Sequence, residues 1–154
     1  MRAFRIVKTK HLATCLDGEG AKRSGGRWNS KGRPVVYTGT SVALCHLEIL
    51  VHMPGTILAA LPFSIVELDV PDELVADLNL SRLPEDWQAP ECPECKRLGD
   101  EWLAEADNVG LLVPSAVVPE ENNLLLNPEH PDFKSVKALP ARSIRFDPRL
   151  TSDR

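Results

Sequence analysis

The sequence predicts an α+β fold from three observations. Runs of strand length, rich in β-branched and other apolar residues, recur at 2–7, 34–39, 65–70, 110–114, 124–127 and 143–146. Only two segments, 42–53 and 93–106, have the length and apolar pattern of substantial helices. Strands and helices do not alternate regularly, which is the pattern of an α+β chain. At 154 residues the chain suits one domain, 1–154, with a real core.

Each element follows from local chemistry. In the opening strand, 2–7, Arg5 shares parity with Ala3 and Val7 and projects from the face opposite Phe4 and Ile6. By residue type alone such an arginine is usually solvated. Residues 8–24 are polar with glycines and read as a loop able to cover a site. Gly25 and Gly26 then form a permissive turn, allowing close approach to a ligand. That turn presents Arg27, whose guanidinium suits a phosphate or carboxylate, although a plain surface arginine is the competing reading. Trp28 suits packing better than a role as a stacking platform. Tyr37, the one tyrosine, ends the strand 34–39 just before the first helix.

That helix has firm boundaries. Ser41 caps its N-terminus, and Pro54-Gly55 ends it. It is apolar on almost every side and is interrupted only by His46, Glu48 and His52, so it is predicted to be buried. A carboxylate on a buried helix is costly unless it is paired, protonated or facing a cleft, which marks Glu48 as a functional candidate. Downstream come a strand ending at Pro71, a short helix over 72–77 and an irregular stretch over 80–90. The second helix, 93–106, carries the stripe Leu98, Trp102 and Leu103. Two short strands, 110–114 and 124–127, are separated by Ser115 and a polar turn, and a strand at 143–146 precedes a frayed tail, 147–154.

Composition narrows the function. The chain is 43% apolar and 26% charged, ordinary values for a globular protein. No apolar run reaches membrane-span length, and the N-terminus lacks a secretory core, so the reading is cytoplasmic with no membrane partner. A net charge of −4 argues against direct nucleic-acid binding. Basic residues nonetheless cluster early, between Lys8 and Arg33, which fits an anion-binding front half. Cys92 and Cys95 form a single CxxC at a helix start. One pair cannot supply the four ligands of structural zinc, so the expectation is two reduced, ordinary thiols and no metal.

Taken together, Arg5 in FRI, Arg27 in GGRWN, Tyr37 in VVYTG, Glu48 in ALCHLEILVH, Ser115 in LLVPSAVVP and the run NNLLLNPEHP resemble the RES-domain proteins over residues 2–147. The resemblance implies a mixed sheet core with flanking helices, similar to mono-ADP-ribosyltransferases such as diphtheria toxin. It implies the toxin of a toxin–antitoxin pair that consumes NAD+ as substrate, without a true cofactor. It also implies an Xre-type antitoxin as partner, whose C-terminal segment blocks the site, and a homodimer within that complex. Carried onto this sequence, Arg27, Tyr37 and Glu48 are catalytic, and Arg5, Arg27, Tyr37 and Ser115 bind NAD+.

The residue types fit that chemistry. Breaking the nicotinamide–ribose bond moves positive charge onto the ribose, and a carboxylate such as Glu48 stabilises it. Arg5 and Arg27 suit the pyrophosphate or the ribose, and Tyr37 suits stacking on nicotinamide. Ser115 is expected to bond the substrate or orient Arg27. Nicotinamide leaves without protonation, so the chemistry demands no metal. Hydrolysis and phosphorolysis are favoured over protein ADP-ribosylation, because His46 stands where protein-modifying relatives of the fold often carry a second acid. A ribonuclease toxin using His46 and His52, or a non-catalytic interaction module, ranks behind these.

Overall fold

The computed structural model describes residues 1–151. Eight strands build one mixed sheet: β1 (Arg2–Lys8), β2 (Val36–Gly39), β3 (Phe63–Asp69), β4 (Val75–Asp77), β5 (Gly110–Pro114), β6 (Asn122–Leu126), β7 (Lys137–Ala138) and β8 (Arg142–Ile144). Their order is β4-β5-β6-β2-β1-β3-β7, with β8 also on β3. Among the described strands only β4 and β5 pair in parallel. The helices are α1 (Glu19–Ser24), α2 (Val42–His52), α3 (Gly55–Ala60), α4 (Pro93–Glu105) and α5 (Pro148–Thr151). This is an α+β fold, as the sequence predicts, with the mixed sheet and flanking helices that the resemblance implies.

Parity sorts the sheet into two faces. Ala3, Val36, Val66, Leu68, Leu124 and Leu126 cluster on one side. On the other, Ile6, Phe63 and Ile65 pack with Cys45 of α2, while Trp28, Val35, Leu111, Val113 and Leu125 pack with Cys95 and Trp102 of α4. β1 pairs with β3 along its whole length, from Arg2 opposite Asp69 to Lys8 opposite Phe63. Its pairing with β2 is a single registered pair, Phe4 opposite Gly39. The sheet therefore opens between β1 and β2 beyond that pair. A cleft at a split in a sheet exposes main-chain groups that a full ladder would consume.

Several elements depart from the sequence prediction. The stretch 8–24 is not a loop: it forms a 3-10 turn at Thr9–Thr14 and then α1. Residues 72–77 hold a 3-10 turn followed by β4, since pairing with β5 gives Val75–Asp77 more hydrogen bonds than a lone helical turn would. The helix α3 and the short strand β7 carry no strong local signal. Of the expected tail, 148–151 is helical, while 152–154 lie outside the described residues. α2 has the predicted Ser41 cap, which accepts the Leu44 N–H at 3.0 Å. It is not buried all round, however. Only Leu44 and Cys45 are buried, while Leu47 and Val51 are 40% and 57% exposed. One side of an eleven-residue helix covers the sheet, and nothing among the described residues covers the other.

Cys92 and Cys95 also differ from expectation, since they are joined in a disulfide. They sit one turn apart, as N-cap residue and third helical residue of α4, with Cα atoms 5.3 Å apart. That spacing falls within the range a disulfide spans.

Candidate active site

Glu48 lies in the middle of α2, half-buried. Its Oε1 accepts the Ser115 hydroxyl at 2.8 Å and the Asn123 amide Nδ2 at 2.6 Å. Its second oxygen, Oε2, takes no hydrogen bond from the described residues. Ser115 follows β5 and is fully buried. Its hydroxyl also accepts the backbone N–H groups of Val117 and Val118, each at 3.1 Å. One donation and two acceptances saturate a hydroxyl. Ser115 thus orients Glu48 and is fully engaged within the protein. It does not touch Arg27, contrary to one of its two expected roles.

Asn123 had no assigned role in the sequence reading. It lies within the run NNLLLNP, on β6, opposite Gly39 of β2 and Val113 of β5. Its partner Glu48 is 75 residues away in sequence. The only local signal was an asparagine at the head of an apolar strand, a position open to solvent-facing polar residues of many kinds.

Tyr37 is held by its hydroxyl. The phenol donates to Asn29 Oδ1 at 2.7 Å and accepts the Trp28 N–H at 3.1 Å. Burial pushes its pKa above the ordinary range. Asn29 is itself fully buried, and its Nδ2 donates to the carbonyls of Ala21, Arg33 and Ser30. Here the two glycines find their use. Gly25 adopts φ +72, and a Cβ on Gly26 would lie 2.5 Å from the Tyr37 hydroxyl. The close approach that Gly26 allows is to Tyr37 itself. Trp28 is packed in the core, as its residue type suggested.

Arg5 reaches through the split between β1 and β2. Its Nη1 donates to the Tyr37 carbonyl at 2.5 Å, a group the short β1–β2 pairing leaves available. Its Nε is buried without a partner. No carboxylate among the described residues forms an ion pair with it. Burial draws its pKa below the ordinary value, the sign of a charge taken out of water. Arg27 likewise has no carboxylate partner among the described residues. Its Nη1 donates to the carbonyls of Trp87 at 2.6 Å and Ala89 at 2.8 Å, and its Nη2 to that of Gln88 at 3.5 Å. The loop 87–89, just before the disulfide, therefore folds over this guanidinium while leaving its charge unneutralised.

These groups meet at two adjoining cavities of about 730 and 290 Å³. Arg5, Tyr37, Glu48, His52 and Asn123 line both, and Arg27, Gln88 and Pro90 line the larger. The larger lies within the size range of small-molecule sites. Ser115 stands behind Glu48 and lines neither. A separate groove of about 760 Å³ on the far side of Arg27 runs along α4. Of its acids, Asp100 and Glu101 are already paired with Arg33 and Arg82, and none of Arg5, Tyr37 or Glu48 reaches it. Among the described residues no group of three His, Cys, Asp or Glu side chains is placed to hold a metal ion. Among the same residues no helix is long and apolar enough to cross a membrane.

The RES domain family matches residues 2–148 of this chain. A protein named Toxin Res from Photorhabdus laumondii is 40% identical over 152 residues, covering 97% of each chain. The Prs ADP-ribosylating toxin of a Sphingobium species is 42% identical over 141 residues, covering 88% of this chain and 86% of its own. A chain of the M. tuberculosis MbcT–MbcA toxin–antitoxin complex shares the fold, with a TM-score of 0.79 at 23% identity, over 97% of this chain and 86% of that one. By its family match and its full-length relatives, the protein belongs to the RES domain family.

Proposed function

We propose that this chain is the toxin of a toxin–antitoxin pair and depletes NAD+ by cleaving its nicotinamide–ribose bond. One observation carries the reading. A buried guanidinium without an anionic partner, that of Arg5, shares a cavity with a carboxylate fixed through one oxygen. Such a cavity suits a substrate that is anionic at one end and develops positive charge at the other. NAD+ is such a substrate.

The mechanism follows from the geometry. The pyrophosphate neutralises Arg5 and takes donors from Arg27, whose Nε–H and remaining Nη2–H are not used by the 87–89 loop. Each charge-assisted bond contributes about 1.5–3 kcal/mol. The ring of Tyr37, pinned by its hydroxyl, forms a flat wall for nicotinamide. As the C–N bond stretches, its electron pair moves to the nicotinamide nitrogen and the ribose takes on oxocarbenium character. Glu48 Oε2 faces that charge, while Ser115 and Asn123 prevent the carboxylate from turning away. Fixed charge aimed at developing charge is a large source of rate enhancement.

A small acceptor, water or phosphate, suits the site better than a protein side chain. His46, where a second acid would stand in a protein-modifying enzyme, turns away. Its Nδ1 contacts the Val42 carbonyl at 2.8 Å, and its ring packs on Phe146 with centroids 5.1 Å apart. The Sphingobium relative, named for ADP-ribosylation, supports the other acceptor. A two-histidine ribonuclease gains nothing, because His52 lines the cavity and His46 does not. The fold shared with a chain of a toxin–antitoxin complex supports a cognate partner. We take that partner to be an Xre-type antitoxin that covers the cavity of a homodimeric toxin. The whole chain acts as one domain in the cytoplasm, where NAD+ is abundant.

The test is NAD+ loss by purified protein beside Glu48→Gln, with and without phosphate. Loss in the wild type alone is expected, with ADP-ribose or its 1″-phosphate as product. No loss in either protein, even with cell extract supplied as acceptor, overturns the reading. ADP-ribose on a cellular protein at a rate matching NAD+ loss overturns the small acceptor.

A further inference from the structure

We propose that His52 takes the proton from the attacking water, which makes it the base for hydrolysis. This inference rests on the NAD+ reading above. His52 lies four residues after Glu48 in α2, so the two side chains share a helix face. It is exposed, and with Glu48 it lines both cavities.

The other polar groups that line the two cavities with His52 are spoken for. From α2 come Glu48 and Cys45, and the Cys45 thiol donates to the Phe4 carbonyl at 3.1 Å, with burial pushing its pKa to about 11. From β1 comes Arg5, and from the glycine turn Arg27, both cations. From β2 comes Tyr37, whose hydroxyl is tied to Asn29 and pushed further from ionisation by burial. β6 contributes Asn123, which does not titrate. Among the described residues that line the cavities, Glu48 and His52 remain as proton acceptors. Glu48 cannot fill both roles, because a carboxylate that takes the proton loses the charge that stabilises the ribose cation. An imidazole, by contrast, exchanges protons near neutrality.

The step balances. Water oxygen bonds to the anomeric carbon as the bond to nicotinamide breaks, and the electron pair leaves with neutral nicotinamide. One water proton passes to His52 and then to solvent, giving ADP-ribose, nicotinamide and a proton. Phosphate dianion attacks without losing a proton, so it does not need His52. The residue thereby separates the two acceptors.

The experiment measures kcat and KM for NAD+ in wild type, His52→Gln and His52→Ala, in phosphate-free buffer and in saturating phosphate, across pH. A thermal melt confirms that the variants fold. Hydrolysis is expected to fall about 100-fold in kcat, the lower end for a lost general base, with KM changed less than threefold. The acidic limb of the hydrolytic pH profile flattens, added imidazole restores part of the His52→Ala rate, and the phosphate-supported rate falls less than tenfold. Hydrolysis within twofold of wild type in His52→Gln overturns the inference alone. Equal loss with both acceptors, or a loss carried by KM, also overturns it and makes His52 a binding residue. A wild type that uses phosphate but not water overturns it as well. A wild type that consumes no NAD+ under any condition overturns the NAD+ reading itself.

Discussion

Replacing Asn123 with alanine tests whether Glu48 works by being held. The Asn123 amide makes one side-chain hydrogen bond, to Glu48 Oε1 at 2.6 Å, and is only half-buried. A hydrogen bond to a charged group is worth about 1.5–3 kcal/mol. If that bond is felt fully in the transition state, kcat falls about 10- to 150-fold. Stability should fall by no more than about 3 kcal/mol, the worth of that one bond, since no core atom is removed. Steady-state NAD+ loss for Asn123→Ala, Glu48→Gln and the double variant forms a cycle. Two residues acting through one carboxylate are strongly non-additive, so the double variant should be no slower than Glu48→Gln alone. The reasoning fails if Asn123→Ala stays within twofold of wild type, or if the two effects multiply.

Three further predictions follow from the same geometry. Gly26→Ala puts a methyl 2.5 Å from the Tyr37 hydroxyl, which Asn29 and the Trp28 N–H hold in place; urea unfolding should show a loss of about 1–3 kcal/mol. Arg5→Met removes a buried charge that lacks a carboxylate partner, so KM for NAD+ should rise at least tenfold while stability falls by less than about 1 kcal/mol; a large fall would mean that Arg5 is structural. The Cys45 thiol, ordinarily near 9.0, is raised to about 11 by burial. Between those values the unfolded chain loses this proton before the folded one does, so stability falls as pH rises from about 9 to about 11. The loss is at most about 3 kcal/mol, and urea unfolding should show Cys45→Ala with a shallower alkaline decline than wild type.

Local chemistry made part of the site legible. The Ser41 cap, the end of α2 at Pro54 and the strand bearing Tyr37 all follow from neighbours within a few residues. Trp28 was assigned to packing by residue type, and it packs. Partners distant in sequence are not legible. Ser115 was assigned to substrate or to Arg27 because sequence does not show what a strand-end serine faces. Its partner Glu48 is 67 residues away. α2 was expected to be buried because its composition is apolar all round, yet burial depends on what covers each side. The cysteines were read as free because compartment, not geometry, set the expectation.

By itself the sequence determined the α+β class, the positions of the main strands and helices, and the family, because these depend on periodicity, caps and ordered motifs along the chain. Tertiary structure alone decided that β1 and β2 part after one registered pair, opening the sheet so that Arg5 can reach the Tyr37 carbonyl. It also decided that Ser115 and Asn123, from two different strand ends, converge on one oxygen of Glu48. The physical reason is the same in both cases. Strand register and helix docking are set by the summed burial of many side chains, and no local stretch of sequence contains that sum.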